Sequence, residues 1–185
     1  GSRFNLCPLR ECSLQLPPIV QLDPGRIDLQ GILTGVLLFE RLETGRFTLE
    51  SELGVSEHAA AQAPSKLGLR PGQTISVEDA IQALVTKSAN DVAVVVGEAI
   101  GGSEEEFGKL MTRKARALGM SRTVYKNASG LPDEDQVTTA RDQTLLAMAI
   151  QDRFPKYYEY FSTSSFTWRG RKMRNHNRLL GRVEG

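Results

Sequence analysis

Ser76-Val77-Glu78-Asp79-Ala80-Ile81-Gln82-Ala83-Leu84-Val85-Thr86-Lys87-Ser88-Ala89-Asn90-Asp91-Val92-Ala93-Val94-Val95-Val96-Gly97-Glu98-Ala99-Ile100 is the stretch on which the reading of this chain turns. Ser76 followed by Glu78 and Asp79 has the form of a helix N-cap with acids in the first turn, where they face the positive end of the helix dipole. Ile81, Leu84 and Val85 give that helix a face to bury. The pattern breaks at Lys87-Ser88-Ala89-Asn90, and a second, almost wholly apolar helix is expected from Asp91 to Ile100. A Ser-x-Asn at such a corner points two polar side chains the same way, into a cleft. On its own, a Ser-x-Asn caps a helix or makes a turn far more often than it does chemistry.

Toward the C-terminus, Gly101-Gly102 ends the second helix and Ser103-Glu104-Glu105-Glu106 opens a third as a capping box. Phe107, Leu110, Met111 and Leu118 line one face of it. Asn127-Ala128-Ser129-Gly130-Leu131-Pro132 carries turn chemistry, and Thr139-Ala140-Arg141-Asp142 opens a helix that runs through Ile150. Ser165 to Trp168 and Met173 to Leu180 read as two strands around a tight turn at Gly170. Toward the N-terminus, His58 to Pro71 reads as a loop and Phe47-Thr48-Leu49 as a short strand. Ile32 to Leu42 is apolar on nearly every side until Glu40-Arg41, as a buried helix is, and Gly45 ends it. Gly1 to Gly31 differs: it holds Pro8, Pro17, Pro18 and Pro24, with at most a short strand at Ile19 to Leu22. The expected organisation is a divergent segment over 1–31 and one domain over 32–185, helix-rich with strands mainly at its two ends.

Bulk properties exclude several classes. The 185 residues suffice for one domain with a sizeable core. Lys and Arg total 23 against 22 Asp and Glu, a net charge of +1 that gives no electrostatic case for nucleic acid. Arg169-Gly170-Arg171-Lys172 with Arg174 is a local basic cluster, read as a solvated hairpin end in preference to a phosphate seat. No apolar run reaches the length of a membrane span, and no signal peptide is visible; Gly1-Ser2 has the form of a tag-removal scar. Cys7 and Cys12 are able to pair in an oxidising compartment but make no disulfide framework. His58 and His176 stand apart and no Cys-x-x-Cys occurs, so nothing resembles a zinc site.

Several segments occur together here. They are Ala63-Pro64-Ser65-Lys66-Leu67-Gly68-Leu69-Arg70-Pro71-Gly72, Val77 to Ile81, Ser88-Ala89-Asn90, Asn127 to Asp133, Thr139 to Asp142, and Asn175-His176-Asn177-Arg178-Leu179-Leu180. The combination, over about Ile32 to Val183, resembles the D-alanyl-D-alanine carboxypeptidases of the low-molecular-mass penicillin-binding proteins. The resemblance implies an α/β penicillin-binding, β-lactamase-like fold, with a helical lobe packed on an antiparallel sheet. Here the helical lobe is expected nearly complete and the sheet deficient.

It also implies a serine acyl-transfer mechanism. The serine of a Ser-x-x-Lys at the start of a buried helix attacks the bond between two D-alanines. The lysine takes the serine proton, the Ser-x-Asn relays a proton and holds the substrate amide, and a Lys-Thr-Gly binds the terminal carboxylate. Backbone N–H groups stabilise the oxyanion. Ser88 and Asn90 match the second motif, Ser88 as the proton-relay hydroxyl and Asn90 as the substrate-orienting amide. The implied partner is a peptidoglycan stem peptide ending in D-Ala-D-Ala, with β-lactams as inhibitors and no cofactor or metal. The implied location is periplasmic or otherwise extracytoplasmic, often with a membrane anchor in the full-length protein.

The other two motifs are not found. Counting back from Ile32 to Glu40 places Asp28 at the nucleophile position and Gly31 at the lysine position, and neither carries the required chemistry. No other Ser-x-x-Lys occurs, and the sequence stops near where the Lys-Thr-Gly strand is expected. The codons of Gly25 to Gly31, read one nucleotide later, are able to encode Ala-Ala-Ser-Thr-Ser-Lys, so a shifted reading frame is one hypothesis; a DNA sequence without that reading would end it. The chain is therefore expected to be inactive as written, the alternative being a non-catalytic pseudoenzyme that binds peptidoglycan or a partner. A β-lactamase reading ranks below both, because Glu104 to Glu106 belong to a helix start and not to a loop that places a water.

Overall fold

The computed structural model describes residues 29–177 and Leu180. The reading of Cys7, Cys12, Ile19 to Leu22, Asp28, Arg178 and Leu179 therefore lies outside the described residues. Helix α1 (Leu29–Glu43) begins just before Gly31, which sits in its first turn. Every residue from Leu33 to Phe39 is buried, so the helix is covered all round, as its apolar sequence requires. It packs against α3 (Val77–Lys87), α4 (Asn90–Gly101), α5 (Glu104–Ala117) and α6 (Ala140–Arg153). Val92 to Val96 of α4 are equally buried. The core therefore lies between two apolar rods wrapped by amphipathic helices.

The N-caps follow the sequence. Ser76, Ser103 and Thr139 each accept a hydrogen bond from the backbone N–H three residues on. The capping box at Ser103 is only half formed, because the Glu106 carboxylate turns to Lys109 at 2.7 Å instead of back to the cap. Glu104 is used elsewhere: one oxygen accepts from the Ala128 N–H at 3.1 Å and the other meets His58 Nε2 at 2.6 Å. Gly108 is required where α5 meets the next segment, since a Cβ there would lie 2.7 Å from the Lys126 carbonyl oxygen.

The strands depart from expectation. Phe47 to Leu49 form no strand; the Thr48 N–H donates to Ser51 Oγ and the Ser51 N–H to the Thr48 carbonyl, a local turn that removes both from any ladder. The strand forms just after, as β1 (Glu52–Gly54), antiparallel to β2 (Thr74–Ser76) with Leu53 opposite Ile75. The segment read as loop from His58 opens with a one-turn helix, α2 (Glu57–Ala60), capped by Ser56. After α7 (Pro155–Tyr158) and a 3₁₀ turn (Glu159–Ser162), β3 (Ser165–Trp168) pairs with β4 (Arg171–Arg174). β4 stops well short of Leu180. Asn175 ends it by turning its side chain onto the carbonyls of Val85 and Thr163, while its Oδ1 accepts the Asn177 N–H. The two described sheets are small and antiparallel.

Candidate functional site

Ser88 closes α3. Its N–H donates to the Leu84 carbonyl at 3.1 Å, and its backbone sits at φ 50°, ψ 52°, in the left-handed region. Glycine or asparagine is usual there; a serine stores roughly 1–2 kcal/mol of backbone strain. The bend lets the chain reverse within one residue, so that Ala89, fully buried, turns straight into α4. Among the described residues the Ser88 hydroxyl makes no hydrogen bond, and the residue is half-buried. It is a hydroxyl held by its backbone alone.

Asn90 is buried, with 6% of its surface exposed. Ala89 offers no side-chain cap to α4, and the loop Ala63–Leu69 takes over that role. The Asn90 N–H donates to the Ser65 carbonyl at 2.8 Å, and Asn90 Nδ2 donates to the Ala63 carbonyl at 2.9 Å. Asn90 Oδ1 accepts no hydrogen bond from the described residues. The same loop caps α3, because Ser65 Oγ donates to the Lys87 carbonyl at 2.8 Å.

Asp91 anchors this assembly. It is fully buried, and its carboxylate accepts the N–H groups of Leu67 (2.9 Å), Gly68 (2.8 Å), Leu69 (3.1 Å) and Val92 (3.0 Å). A buried carboxylate is tolerated only with such compensation. Sequence reasoning placed Asp91 at a helix start and missed the anchoring role. The available signal was an acid opening an otherwise apolar helix directly after Ser-x-Asn.

The segment after β4 is tied to the end of α3. The His176 N–H donates to the Thr86 carbonyl at 3.1 Å, two residues from Ser88. Partial burial and the nearby charge of Lys87 hold the His176 imidazole below its ordinary pKa. The backbone of His176 is thus tied two residues before Ser88. His58 stands elsewhere, beyond the other end of α4 beside Glu98, Glu104 and Asn127. Among the described residues no group of three or more His, Cys, Asp or Glu side chains is placed to hold a metal ion, and no helix is long and apolar enough to cross a membrane.

The turn Asn127 to Leu131 joins the lobe from the opposite side. Asn127 Oδ1 accepts the Gly130 N–H and its Nδ2 donates to the Leu131 carbonyl, while Thr34 Oγ1 of α1 donates to the Ala128 carbonyl at 2.8 Å. Asp142 draws the segment before it inward by accepting the Arg122 N–H and the Thr123 hydroxyl. Burial alone would raise that carboxyl; the hydrogen bonds from Thr123, Arg122 and Thr139 instead hold it below its ordinary value.

The strain at Ser88 makes a measurable prediction. Ser88→Gly should stabilise the fold by about 0.5–1 kcal/mol, the relieved left-handed cost less the extra chain entropy of glycine. Ser88→Val should destabilise it, because branching at Cβ aggravates the same clash. Urea unfolding of the two variants checks both signs; a glycine variant less stable than the parent would mean the hydroxyl supports the fold.

This helical lobe with its small antiparallel sheets superposes on solved penicillin-binding proteins. Penicillin binding protein 5 from Haemophilus influenzae superposes with a TM-score of 0.79 at 26% identity, over 83% of this chain and 45% of that one. A cefotaxime-bound penicillin-binding protein of Listeria monocytogenes superposes with a TM-score of 0.74 at 30% identity, over 85% and 65%. The chain belongs to the D-alanyl-D-alanine carboxypeptidase family, whose sequence model matches residues 27–184. It is 35% identical to the D-alanyl-D-alanine carboxypeptidase DacF of Bacillus subtilis over 136 residues, 74% of this chain. The chain spans about a third of that relative's length, 33%.

Proposed function

We propose that this chain carries the Ser-x-Asn half of a serine D-alanyl-D-alanine carboxypeptidase site, of the kind that takes peptidoglycan stem peptides outside the cytoplasm. Ser88 serves as proton relay and Asn90 as the substrate-orienting amide. The observation that carries the reading is the pair of unspent polar atoms at one corner: the Ser88 hydroxyl and Asn90 Oδ1, each without a partner among the described residues. With Nδ2 tied to Ala63, Asn90 keeps Oδ1 for a substrate N–H. Ser88 is both donor and acceptor, as a group must be that takes a proton from one side and returns it to a leaving amine on the other. The L. monocytogenes structure with bound cefotaxime supports β-lactams as ligands of such a site.

The same reading holds this polypeptide catalytically incompetent as written. Asp28 and Gly31 stand at the positions counted for the nucleophile and its lysine, and neither supplies a hydroxyl or a base. Incubation with excess benzylpenicillin should therefore add no mass to the intact protein. A stable adduct mapped to Ser88 would overturn the assignment, because the relay would then be the nucleophile.

A further inference from the structure

We propose that the β3–β4 hairpin is a docking surface for an anionic lipid bilayer. Arg169, Arg171, Lys172 and Arg174 place four exposed cations within six residues, and no acidic residue occurs from Tyr160 to Asn177. None of the four is in an ion pair among the described residues. The chain as a whole carries only +1, so the excess is local, balanced by acids elsewhere.

The hairpin presents these charges rigidly. Arg169 (φ 46°) and Gly170 (φ 79°) form the tight turn at its tip. The register sets Phe166 opposite Met173, a pair packed on the core, so the alternate pairs Ser165–Arg174 and Thr167–Lys172 face away from it. Lys172 and Arg174 are therefore about 7 Å apart on one outer face, with Arg169 and Arg171 at the tip. Trp168 sits beside the turn on the same face as Phe166, half-buried against the core, with the Arg169 guanidinium 5.2 Å from its ring centroid, so it reports on the hairpin from its inner face.

Four exposed cations at a rigid hairpin tip match the chemistry of an anionic membrane surface, where each meets headgroup charge. A soluble polyanion would be met by the same cations but is better held in a groove; a convex two-stranded tip suits a broad, flat surface. The inference stands apart from the catalytic reading.

Trp168 is the single tryptophan of the chain, so its emission reports directly on the hairpin. With vesicles of phosphatidylcholine and phosphatidylglycerol at low salt, the protein should co-sediment and its emission shift to the blue. Both effects should fade with added salt and be absent with pure phosphatidylcholine. Replacing Arg169, Arg171, Lys172 and Arg174 by Gln should weaken partitioning by about a hundred-fold or more. Replacing four exposed arginines elsewhere (Arg46, Arg70, Arg113 and Arg122) by Gln should change it by less than about five-fold. Circular dichroism establishes that each variant is folded; should the quadruple hairpin variant fail, Arg169→Gln with Lys172→Gln should still lose about ten-fold. Equal loss in both quadruple variants would overturn the proposal. So would binding of soluble polyphosphate without vesicle binding, which would reassign the hairpin to a soluble polyanion.

Discussion

Asp91→Ala should cost about 3–5 kcal/mol and lower the melting temperature by roughly 10 °C. The carboxylate is fully buried and receives four backbone N–H groups, from Leu67, Gly68, Leu69 and Val92. Alanine leaves those donors facing a cavity too apolar to satisfy them, and an unsatisfied buried donor costs about 1–3 kcal/mol. Asp91→Asn keeps the shape but turns an acceptor into a donor pointed at other donors, so only part of the loss should be recovered. The consequence reaches the Ser88–Asn90 corner, because the loop that Asp91 holds is the one that fixes Asn90 through Ala63 and Ser65. Hydrogen exchange at the amides of Leu67 to Leu69 should quicken in step with the loss. A cost below about 1 kcal/mol, with those amides still protected, would show that the loop stays in place without the carboxylate.

Phe39→Ala should be as damaging, at about 3–5 kcal/mol. Phe39 is 1% exposed at the heart of α1. Its ring stacks on Tyr157 at 4.9 Å between centroids and tilts against Phe154 at 5.9 Å, with Phe161 edge-on at 6.5 Å. Alanine therefore opens a cavity bounded by three rings from the α6–α7 region, which is too rigidly packed to collapse fully. Because the Tyr157 stack is direct, Phe39→Ala and Tyr157→Ala should not be additive: the double variant should lose about 0.5–1.5 kcal/mol less than the sum. Chemical denaturation of the three variants measures this; strict additivity would mean the stack adds nothing beyond buried area.

Local sequence logic was sufficient wherever a residue's role is decided by its near neighbours. The caps at Ser76, Ser103 and Thr139, the apolar rods around Leu33 to Phe39 and Val92 to Val96, and the break at Lys87 to Asn90 all follow from hydrogen bonds or periodicities that span a few residues. The Asn127 to Gly130 turn is legible for the same reason. The family resemblance, carried by several such segments in order, agrees with the sequence model's match over 27–184.

Competing local partners, and contacts between residues far apart in the chain, decided the rest. Glu106 was expected to complete the capping box, yet an exposed Lys109 offers it a charged partner, and the reciprocal backbone bond is not made. Phe47 to Leu49 has strand composition, but a Thr48–Ser51 turn consumes its backbone donors, and the ladder forms one step later where Thr74 to Ser76 is available. No periodicity announces that Asn175, about ninety positions on, will bind the Val85 carbonyl and bring His176 beside the Ser88 corner. Ser88 and Asn90 could be named from sequence. That Ser88 lies in left-handed backbone with its hydroxyl unspent, and that Asp91 holds the loop which spends one side of Asn90, depends on loop closure across more than twenty residues. The sequence by itself determined which helices form and where they break. Only the folded chain decided which polar atoms at that break are consumed by the fold and which stay without a partner among the described residues, because that balance is struck between groups the sequence keeps apart.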